Sequence, residues 1–230
     1  MATTAHSLAA IEREIVACQA CPRLVAWREQ VAREKRAAYQ HEEYWGRPVP
    51  GFGDPEARLL VVGLAPAAHG GNRTGRVFTG DRSGDWLFAS MYRTGFANQP
   101  VSESRDDGLE LRDAYVAAAV RCAPPDNRPT PGERDRCVPY LARELAALER
   151  ARVVVALGGF AYEVVMRIVA ATGVAVPRPR PKFAHAVEVP AGRFTVIGSY
   201  HPSQQNTFTG RLTEAMLDGV FSRARAHLLG

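Results

Sequence analysis

Two kinds of hydrophobic pattern alternate along the chain. Continuous apolar runs, typical of strands that are buried on both faces, occur at 57–64, 114–122, 151–159 and 193–200. Segments with helical periodicity follow them: one begins near Ser83, one follows Thr130, one ends at Gly173 and one closes the chain. This alternation predicts an α/β fold, with three α/β/α layers around a central, mostly parallel four-stranded sheet.

The chain as a whole predicts one domain. Its 230 residues suffice for one large α/β domain, and no repeat, low-complexity tract or convincing linker divides them. Residues 183–200 have the pattern of a late hairpin, and residues 98–110 form a polar loop. We therefore expect a single domain over residues 1–230, with residues 1–50 as a helical and coil wrapping.

Composition narrows the classes of partner. The net charge is +5, which favours a polyanionic partner. No apolar run reaches the ~18 residues that a membrane helix needs. The charged residues Glu12, Arg13 and Glu14 stand where a signal peptide would be apolar. We therefore expect a cytoplasmic protein without a membrane partner.

The four cysteines, Cys18, Cys21, Cys122 and Cys137, form one short-spaced pair and one wide pair. Disulfides are not expected in a cytoplasmic protein, and a C-x2-C pair commonly binds a metal or a cluster. Structural zinc sites mostly use two short-spaced pairs, whereas a wide, proline-rich second pair also suits four thiolates on a [4Fe–4S] cluster. The spacing alone favours an iron–sulfur cluster over a zinc site only slightly. It also leaves open a third alternative, in which the four cysteines are simply buried thiols. A thioredoxin-type redox pair is disfavoured because the C-x2-C does not follow a strand.

Polar and aromatic residues collect at the carboxyl ends of the predicted strands. Ligands bind at that edge of a parallel sheet, and the loops there carry Phe78, Asp81, Asn127 and His201. Each has a structural alternative. Phe78 could be a core aromatic and Asp81 a cap for the helix near Ser83. Asn127 could be a turn residue and His201 a hydrogen-bonded core histidine. Their convergence on one cleft favours a functional site.

Several motifs together resemble the uracil-DNA glycosylase superfamily. "GLAPA" (63–67) and "HPSQQN" (201–206) are similar to its two signature loops. "TGRVFTGD" (74–81), together with the four cysteines, is similar to its iron–sulfur members. The spelling of the first motif, with Leu64 and Ala65, is similar to that of family 5, or type B. The resemblance extends from Cys18 to the last helix.

The resemblance implies an activity and its partners. It implies a monofunctional DNA glycosylase that rotates a damaged base out of the duplex and hydrolyses its N-glycosidic bond, leaving an abasic site. The expected partner is double-stranded DNA that contains damaged bases, bound by a monomer in the bacterial cytoplasm that associates with the nucleoid during repair. The resemblance also implies a structural [4Fe–4S] cluster on the four cysteines and no catalytic metal.

The resemblance assigns roles to individual residues. Asp81 is expected to hold the attacking water and to balance the positive charge that develops on the sugar. Phe78 is expected to stack on the flipped base, and His201 to donate a hydrogen bond to a pyrimidine carbonyl as charge builds there. The other expected base contacts are Gly63, Ala65, Ala67 and Asn127, and the expected DNA contacts are Ser203, Gln204, Gln205, Asn206 and Arg211.

Two positions depart from uracil-strict relatives. The fifth position of the first motif is Ala67 rather than a bulky aromatic residue. Ala118 stands four residues before the third cysteine, where family 4 relatives carry an asparagine that reads uracil. Both departures predict a roomy pocket with few specific hydrogen bonds. We therefore expect excision of uracil, of hypoxanthine, and of etheno-modified and 5-substituted pyrimidines.

Three other functions fit the sequence less well. A non-catalytic metal-cluster module that binds nucleic acid would not need both Asp81 and His201. A glycosylase that traps the excised sugar covalently has a different first motif and an inserted loop before the second, and neither is found here. A zinc-dependent nuclease needs clustered ligands, whereas the six histidines are scattered.

Overall fold

A computed structural model describes residues 7–229 of the chain. The helices are α1 Leu8–Val16, α2 Pro22–Glu34, α3 Gly71–Thr74, α4 Arg82–Arg93, α5 Pro131–Ala147, α6 Gly159–Ala171, α7 Gln204–Phe208 and α8 Glu214–Leu229. The strands are β1 Phe52–Gly53, β2 Leu59–Gly63, β3 Ala114–Ala118, β4 Val153–Leu157, β5 Glu188–Ala191 and β6 Phe194–Ser199. Short 3-10 turns occupy Ala37–Tyr39 and Pro125–Asn127.

Within residues 7–229 the strands form one six-stranded sheet in the order β1-β3-β2-β4-β6-β5. The four central strands β3, β2, β4 and β6 pair in parallel, and they are the four that the sequence predicts. Two antiparallel strands flank them: β5 completes the predicted hairpin with β6, and β1 pairs with β3. The predicted α/β class and mostly parallel sheet are therefore confirmed, with two short edge strands added to the predicted four.

The continuous apolar runs have a simple explanation in the packing. Along β2, Leu59 and Val61 belong to one hydrophobic core, whereas Leu60 and Val62 belong to the other. Successive strand side chains point to opposite faces, so a sheet that helices cover on both sides needs apolar residues at every position. Helices α4 and α8 contribute to the first core and helices α5 and α6 to the second.

The N-terminal helices are attached to the body of the fold at α5. Thr130 caps α5 in a capping box with Glu133, as the sequence start at Thr130 predicts. The Glu133 carboxylate also accepts two hydrogen bonds from Arg23 on α2, at 2.8 and 2.7 Å. The part of the predicted 1–50 wrapping that precedes Ser7 lies outside the described residues.

None of the helices within residues 7–229 is both long enough and apolar enough to cross a membrane.

Candidate active site

The loops that follow β2, β3, β4 and β6 all leave the same edge of the sheet, because these strands are parallel. The first of them begins after Gly63 and returns through Phe78 to α4. A cavity of about 340 Å³ opens at this edge, at the lower end of the usual range for small-molecule sites. Of the residues predicted from the sequence, its walls include Ala67, Asp81, Asn127 and Gln204.

Asp81 is both a helix cap and a residue of the cavity wall, two roles that the sequence left as alternatives. Its Oδ1 accepts a hydrogen bond from the Gly84 backbone N–H at 3.0 Å, so it caps α4. Its carboxylate also lines the cavity. Burial raises the pKa of Asp81, although the backbone N–H groups of Gly84 and Ser83 act in the opposite direction. A Cβ on Gly70 would overlap this carboxylate, so glycine at position 70 is what leaves room for it.

Phe78 has a backbone conformation that bulky residues rarely adopt, with φ of 55°. Two glycines accommodate it: a Cβ on Gly63 would overlap the Phe78 ring, and a Cβ on Gly84 would overlap the Phe78 carbonyl. Strain of this kind persists only where the surroundings impose it, and it is frequent at functional sites. Phe78 is 7% exposed and belongs to the same hydrophobic core as Ala118.

His201 lies against Phe78, with 5.8 Å between the ring centroids and 33° between the ring planes. Burial lowers the pKa of His201 to about 4, so the imidazole is neutral at neutral pH. Among the described residues that line the cavity, neither of these two rings is found, and neither are Gly63 and Ala65. Gly63 is covered by the Phe78 ring, and Ala65 packs against the cysteines. The expected base contacts therefore divide into cavity residues and an adjacent aromatic pair.

The predicted DNA contacts surround α7, which follows the "HPSQQN" loop. Gln204, Gln205 and Arg211 are exposed, and Ser203 and Asn206 are half-buried. The Asn206 amide donates to the His201 carbonyl at 2.9 Å, and the Arg211 guanidinium lies 4.6 Å from the centroid of the Tyr200 ring. These contacts join α7 to the end of β6, where His201 stands.

The cavity residues that the sequence reasoning missed include Trp27, Arg36, Tyr39, His69 and Arg82. The first three come from the N-terminal segment and line the same cavity as the small side chains of Ala67 and Ala68. No local pattern could have found them, because they reach the site from a region that is remote in the sequence. His69 and Arg82 directly flank residues that the motifs identify, and that adjacency was the available signal.

Arg73 fixes the N-terminal segment to the first signature loop. Its guanidinium donates to the His69 carbonyl at 2.8 Å and to the Gly80 carbonyl at 3.0 Å, which spans the loop from one side to the other. The same group lies 4.0 Å from the centroid of the Tyr39 ring and pairs with Glu42. The cavity is therefore held between two chain segments that one buried arginine connects.

The four cysteines meet around one small cavity near the amino end of α2. Cys21, Cys122 and Cys137 are buried and share a hydrophobic cluster, and Cys18 is half-buried. Among residues 7–229, however, no three His, Cys, Asp or Glu side chains are arranged as a metal site. The convergence of the thiols follows the sequence prediction, and their ligand role remains a prediction.

Buried positive charge surrounds these thiols. Arg28 is 1% exposed and donates to the Cys122 Sγ at 3.0 Å and to the Cys18 carbonyl at 3.3 Å, and Glu29 Oε1 lies 3.9 Å from it. Arg121 is also 1% exposed and pairs with Glu144. Within the described chain, Nε of both arginines and Nη1 of Arg121 have no hydrogen-bond partner. Burial raises the pKa of Cys122 to about 12, which would leave a neutral thiol beside these cations. A thiolate-bound anionic group fits this set better, because buried charge needs compensation.

Comparison with known proteins identifies related chains. Residues 50–225 match the family model described as the uracil DNA glycosylase superfamily. The chain is 52% identical over 228 residues to a type-5 uracil-DNA glycosylase of Mycobacterium tuberculosis, an alignment that covers 98% of this chain and 83% of that one. It is 49% identical over 218 residues to the type-5 uracil-DNA glycosylase of Thermus thermophilus, with 94% and 96% covered. A type-4 uracil-DNA glycosylase of Archaeoglobus fulgidus is 29% identical over 199 residues, with 86% and 82% covered.

Proposed function

Since this chain belongs to the uracil-DNA glycosylase superfamily, we propose that it hydrolyses the N-glycosidic bond of uracil in DNA and leaves an abasic site. The observation that carries the proposal is the half-buried carboxylate of Asp81 in the wall of a cavity of about 340 Å³, at the sheet edge that both signature loops leave. The net charge of +5 suits a DNA substrate, whose phosphates attract basic proteins.

The reaction separates a sugar that becomes positive from a base that becomes negative. The Asp81 carboxylate stabilises the positive sugar and orients the attacking water, and a buried charge is more effective in this role than an exposed one. The Gly84 N–H occupies Oδ1, and we assign the contact with the water to Oδ2. Asp81 must be ionised for both tasks, so its raised pKa places the activity at pH values above that pKa.

The leaving base needs a hydrogen-bond donor and a surface on which to stack. His201 is neutral and keeps one ring N–H, which donates to a carbonyl oxygen of the base as negative charge develops. Phe78 offers its ring next to His201, in a backbone conformation that Gly63 and Gly84 accommodate. The neutral state of His201 avoids a second positive charge beside the developing sugar cation.

The cysteines are proposed to hold a [4Fe–4S] cluster, with Cys18, Cys21, Cys122 and Cys137 as its ligands. Bound there, the cluster would cross-link the start of α2 to the segment between β3 and α5, a structural role outside the reaction. Arg28 supports this assignment, because it is buried, donates to the Cys122 Sγ and has a carboxylate only at 3.9 Å, so an anionic cluster would compensate its charge. Zinc is the alternative that metal analysis distinguishes.

The proposed substrate range extends to hypoxanthine and to etheno-modified and 5-substituted pyrimidines in double-stranded DNA. Ala67 and Ala68 contribute small side chains to the cavity lining, and Ala118 stands where family 4 relatives carry a residue that reads uracil. Trp27, Arg36 and Tyr39 line the same cavity. A wall that is set back from the base discriminates weakly, because one methyl-sized contact contributes roughly 1–3 kcal/mol.

The test is single-turnover cleavage of duplex oligonucleotides that carry one uracil, one hypoxanthine or one ethenocytosine, with abasic sites revealed by alkali. The proposal expects uracil to be released and the other two bases to be released at measurable rates. Failure to release uracil would contradict the proposed activity. Release of uracil alone would leave the activity standing and contradict the proposed range. Gel filtration with the same duplex checks the expected monomer.

A further inference from the structure

The sequence Arg-Pro-Arg-Pro-Lys at residues 178–182, here called the basic segment, lies in the connection between α6 and β5. Its three charged side chains are exposed, and no aspartate or glutamate occurs between residues 164 and 187. In the described part of the chain, no hydrogen bond or ion pair holds these three side chains. Charged residues on a surface are common, so the position of the segment decides whether it has a function.

Two anchors fix the backbone on either side of Lys182. The Tyr162 hydroxyl donates a hydrogen bond to the Pro181 carbonyl at 2.9 Å, and Tyr162 itself is buried on α6. The centroid of the Phe183 ring lies 5.7 Å from that of Tyr162 and 6.1 Å from that of Tyr200. The prolines of the basic segment restrict its backbone further. The chain is therefore held in place while its cationic side chains extend into solvent.

The anchored end of the basic segment lies at the catalytic edge of the sheet. Phe183 packs against Gly159, the first residue of α6 after β4, where an added Cβ would lie 3.5 Å from the ring. Tyr200, which also contacts Phe183, directly precedes His201. The Arg211 guanidinium lies 4.6 Å from the centroid of the Tyr200 ring. The two aromatic rings therefore connect the basic segment to Arg211, which is exposed beside the second signature loop.

Arg180 lies close to the same anchor. Burial raises the pKa of the Tyr162 hydroxyl, and the positive charge of Arg180 opposes this rise, so the guanidinium is near the hydroxyl that holds Pro181. One residue separates Arg180 from Lys182, and two residues of chain span at most about 7 Å. This span is close to the separation of neighbouring phosphates along one DNA strand, so both cations can contact the same strand.

We propose that Arg180 and Lys182 bind phosphates of the DNA backbone beside the flipped nucleotide, and that the basic segment thereby extends the DNA-binding surface beyond the second signature loop. The proposal rests on the proposed function, since it takes DNA as the substrate. Phosphate contacts position a protein on DNA without reading its sequence, and each contact releases counterions and so weakens with salt. The anchored backbone reduces the ordering that binding requires.

The first test measures the affinity for an undamaged duplex by fluorescence anisotropy, at salt concentrations from about 50 to 200 mM. Arg180→Gln/Lys182→Gln should reduce the slope of log affinity against log salt by about 2, and should lower the affinity at about 0.1 M salt tenfold or more. Arg180→Lys/Lys182→Arg should keep the wild-type slope, because both charges remain. The matched control is Arg150→Gln/Arg193→Gln, which removes two exposed arginines at the opposite edge of the sheet, before β4 and β6. It lowers the net charge by the same amount and should leave the slope unchanged.

The second test separates binding from chemistry. With enzyme at saturation, Arg180→Gln/Lys182→Gln should excise uracil from a duplex within about twofold of the wild-type single-turnover rate, whereas below saturation its rate should fall in parallel with its affinity. A salt slope equal to that of the wild type would overturn the proposal. So would an equal loss of slope in Arg150→Gln/Arg193→Gln, because the effect would then follow net charge and not position. If the wild-type protein excises no uracil, the proposed function fails, and the salt slopes on undamaged DNA still decide the role of the basic segment.

Discussion

Asp81→Asn separates the two roles that the structure gives to one carboxylate. As the cap of α4, Asp81 accepts one backbone hydrogen bond through Oδ1, and an asparagine side chain can accept the same bond. Aspartate and asparagine are about equally good caps, so the substitution keeps the helix terminus. It removes the negative charge that the proposed reaction requires at the cavity wall.

The two roles predict effects of different size. If Asp81 only caps α4, Asp81→Ala should cost about 1 kcal/mol of folding stability, which lowers Tm by roughly 2–4 °C in a protein of this length. Asp81→Asn should then change neither stability nor rate. If the carboxylate orients water and stabilises the sugar cation, Asp81→Asn should lower the excision rate about 10²- to 10³-fold, or roughly 2.7–4 kcal/mol in the transition state.

The sign of the stability change adds an independent check. Burial raises the pKa of Asp81, so the folded protein disfavours the ionised form relative to the unfolded chain. This penalty is present above the raised pKa and disappears as pH falls below the unfolded value. Asp81→Asn removes the penalty and should therefore leave Tm at pH 7 equal to or above that of the wild type.

The assay is single-turnover excision of uracil with enzyme in excess, together with thermal unfolding and duplex binding of the same preparations. The wild-type rate should rise with pH through the raised pKa of Asp81, and the Asp81→Asn rate should not. Duplex binding should change little, because phosphate contacts lie elsewhere. An Asp81→Asn enzyme that excises uracil within about threefold of the wild-type rate would refute the catalytic role and leave only the helix cap.

Three further predictions concern other parts of the molecule. Because burial lowers the pKa of His201 to about 4 from 6.5, the unfolded chain binds a proton in this interval that the folded chain does not. The stability that neutral His201 contributes is therefore complete above pH ~6.5 and falls as pH decreases towards 4. Over this range the wild type should lose up to about 3 kcal/mol of unfolding free energy relative to His201→Gln. Chemical denaturation of both proteins at several pH values measures this difference. The purified protein should contain iron and acid-labile sulfide and absorb in the visible, and each cysteine-to-alanine variant should lose that absorbance; stoichiometric zinc without iron would contradict this. Ala67→Tyr should lower hypoxanthine excision about tenfold or more relative to uracil, and a wild-type enzyme that removes uracil but leaves hypoxanthine intact would contradict the reasoning on which this rests.

The sequence was sufficient for elements whose pattern is local. Apolar runs buried on both faces predict β2, β3, β4 and β6 because period and length identify such strands without tertiary information. Strand β1 escaped detection because a two-residue strand has no period, and it exists only through its pairing with β3. Asp81 shows a different limit: its position before α4 indicated a cap and its motif indicated catalysis, and one side chain can satisfy both.

The cavity residues Trp27, Arg36 and Tyr39 could not be predicted, because they come from a region of the chain that is remote from the first loop. Trp27 lies on α2, six residues after Cys21, which stands at the amino end of that helix. Arg28, next to Trp27, donates to the Cys122 Sγ and thereby connects α2 to the end of β3. The same helix therefore has one end among the cysteines and a side chain at the cavity. The contacts that anchor α2 among the cysteines therefore also bear on the position of Trp27 in the cavity lining. Motifs in the first loop identify only part of the cavity lining, and the N-terminal segment supplies another part.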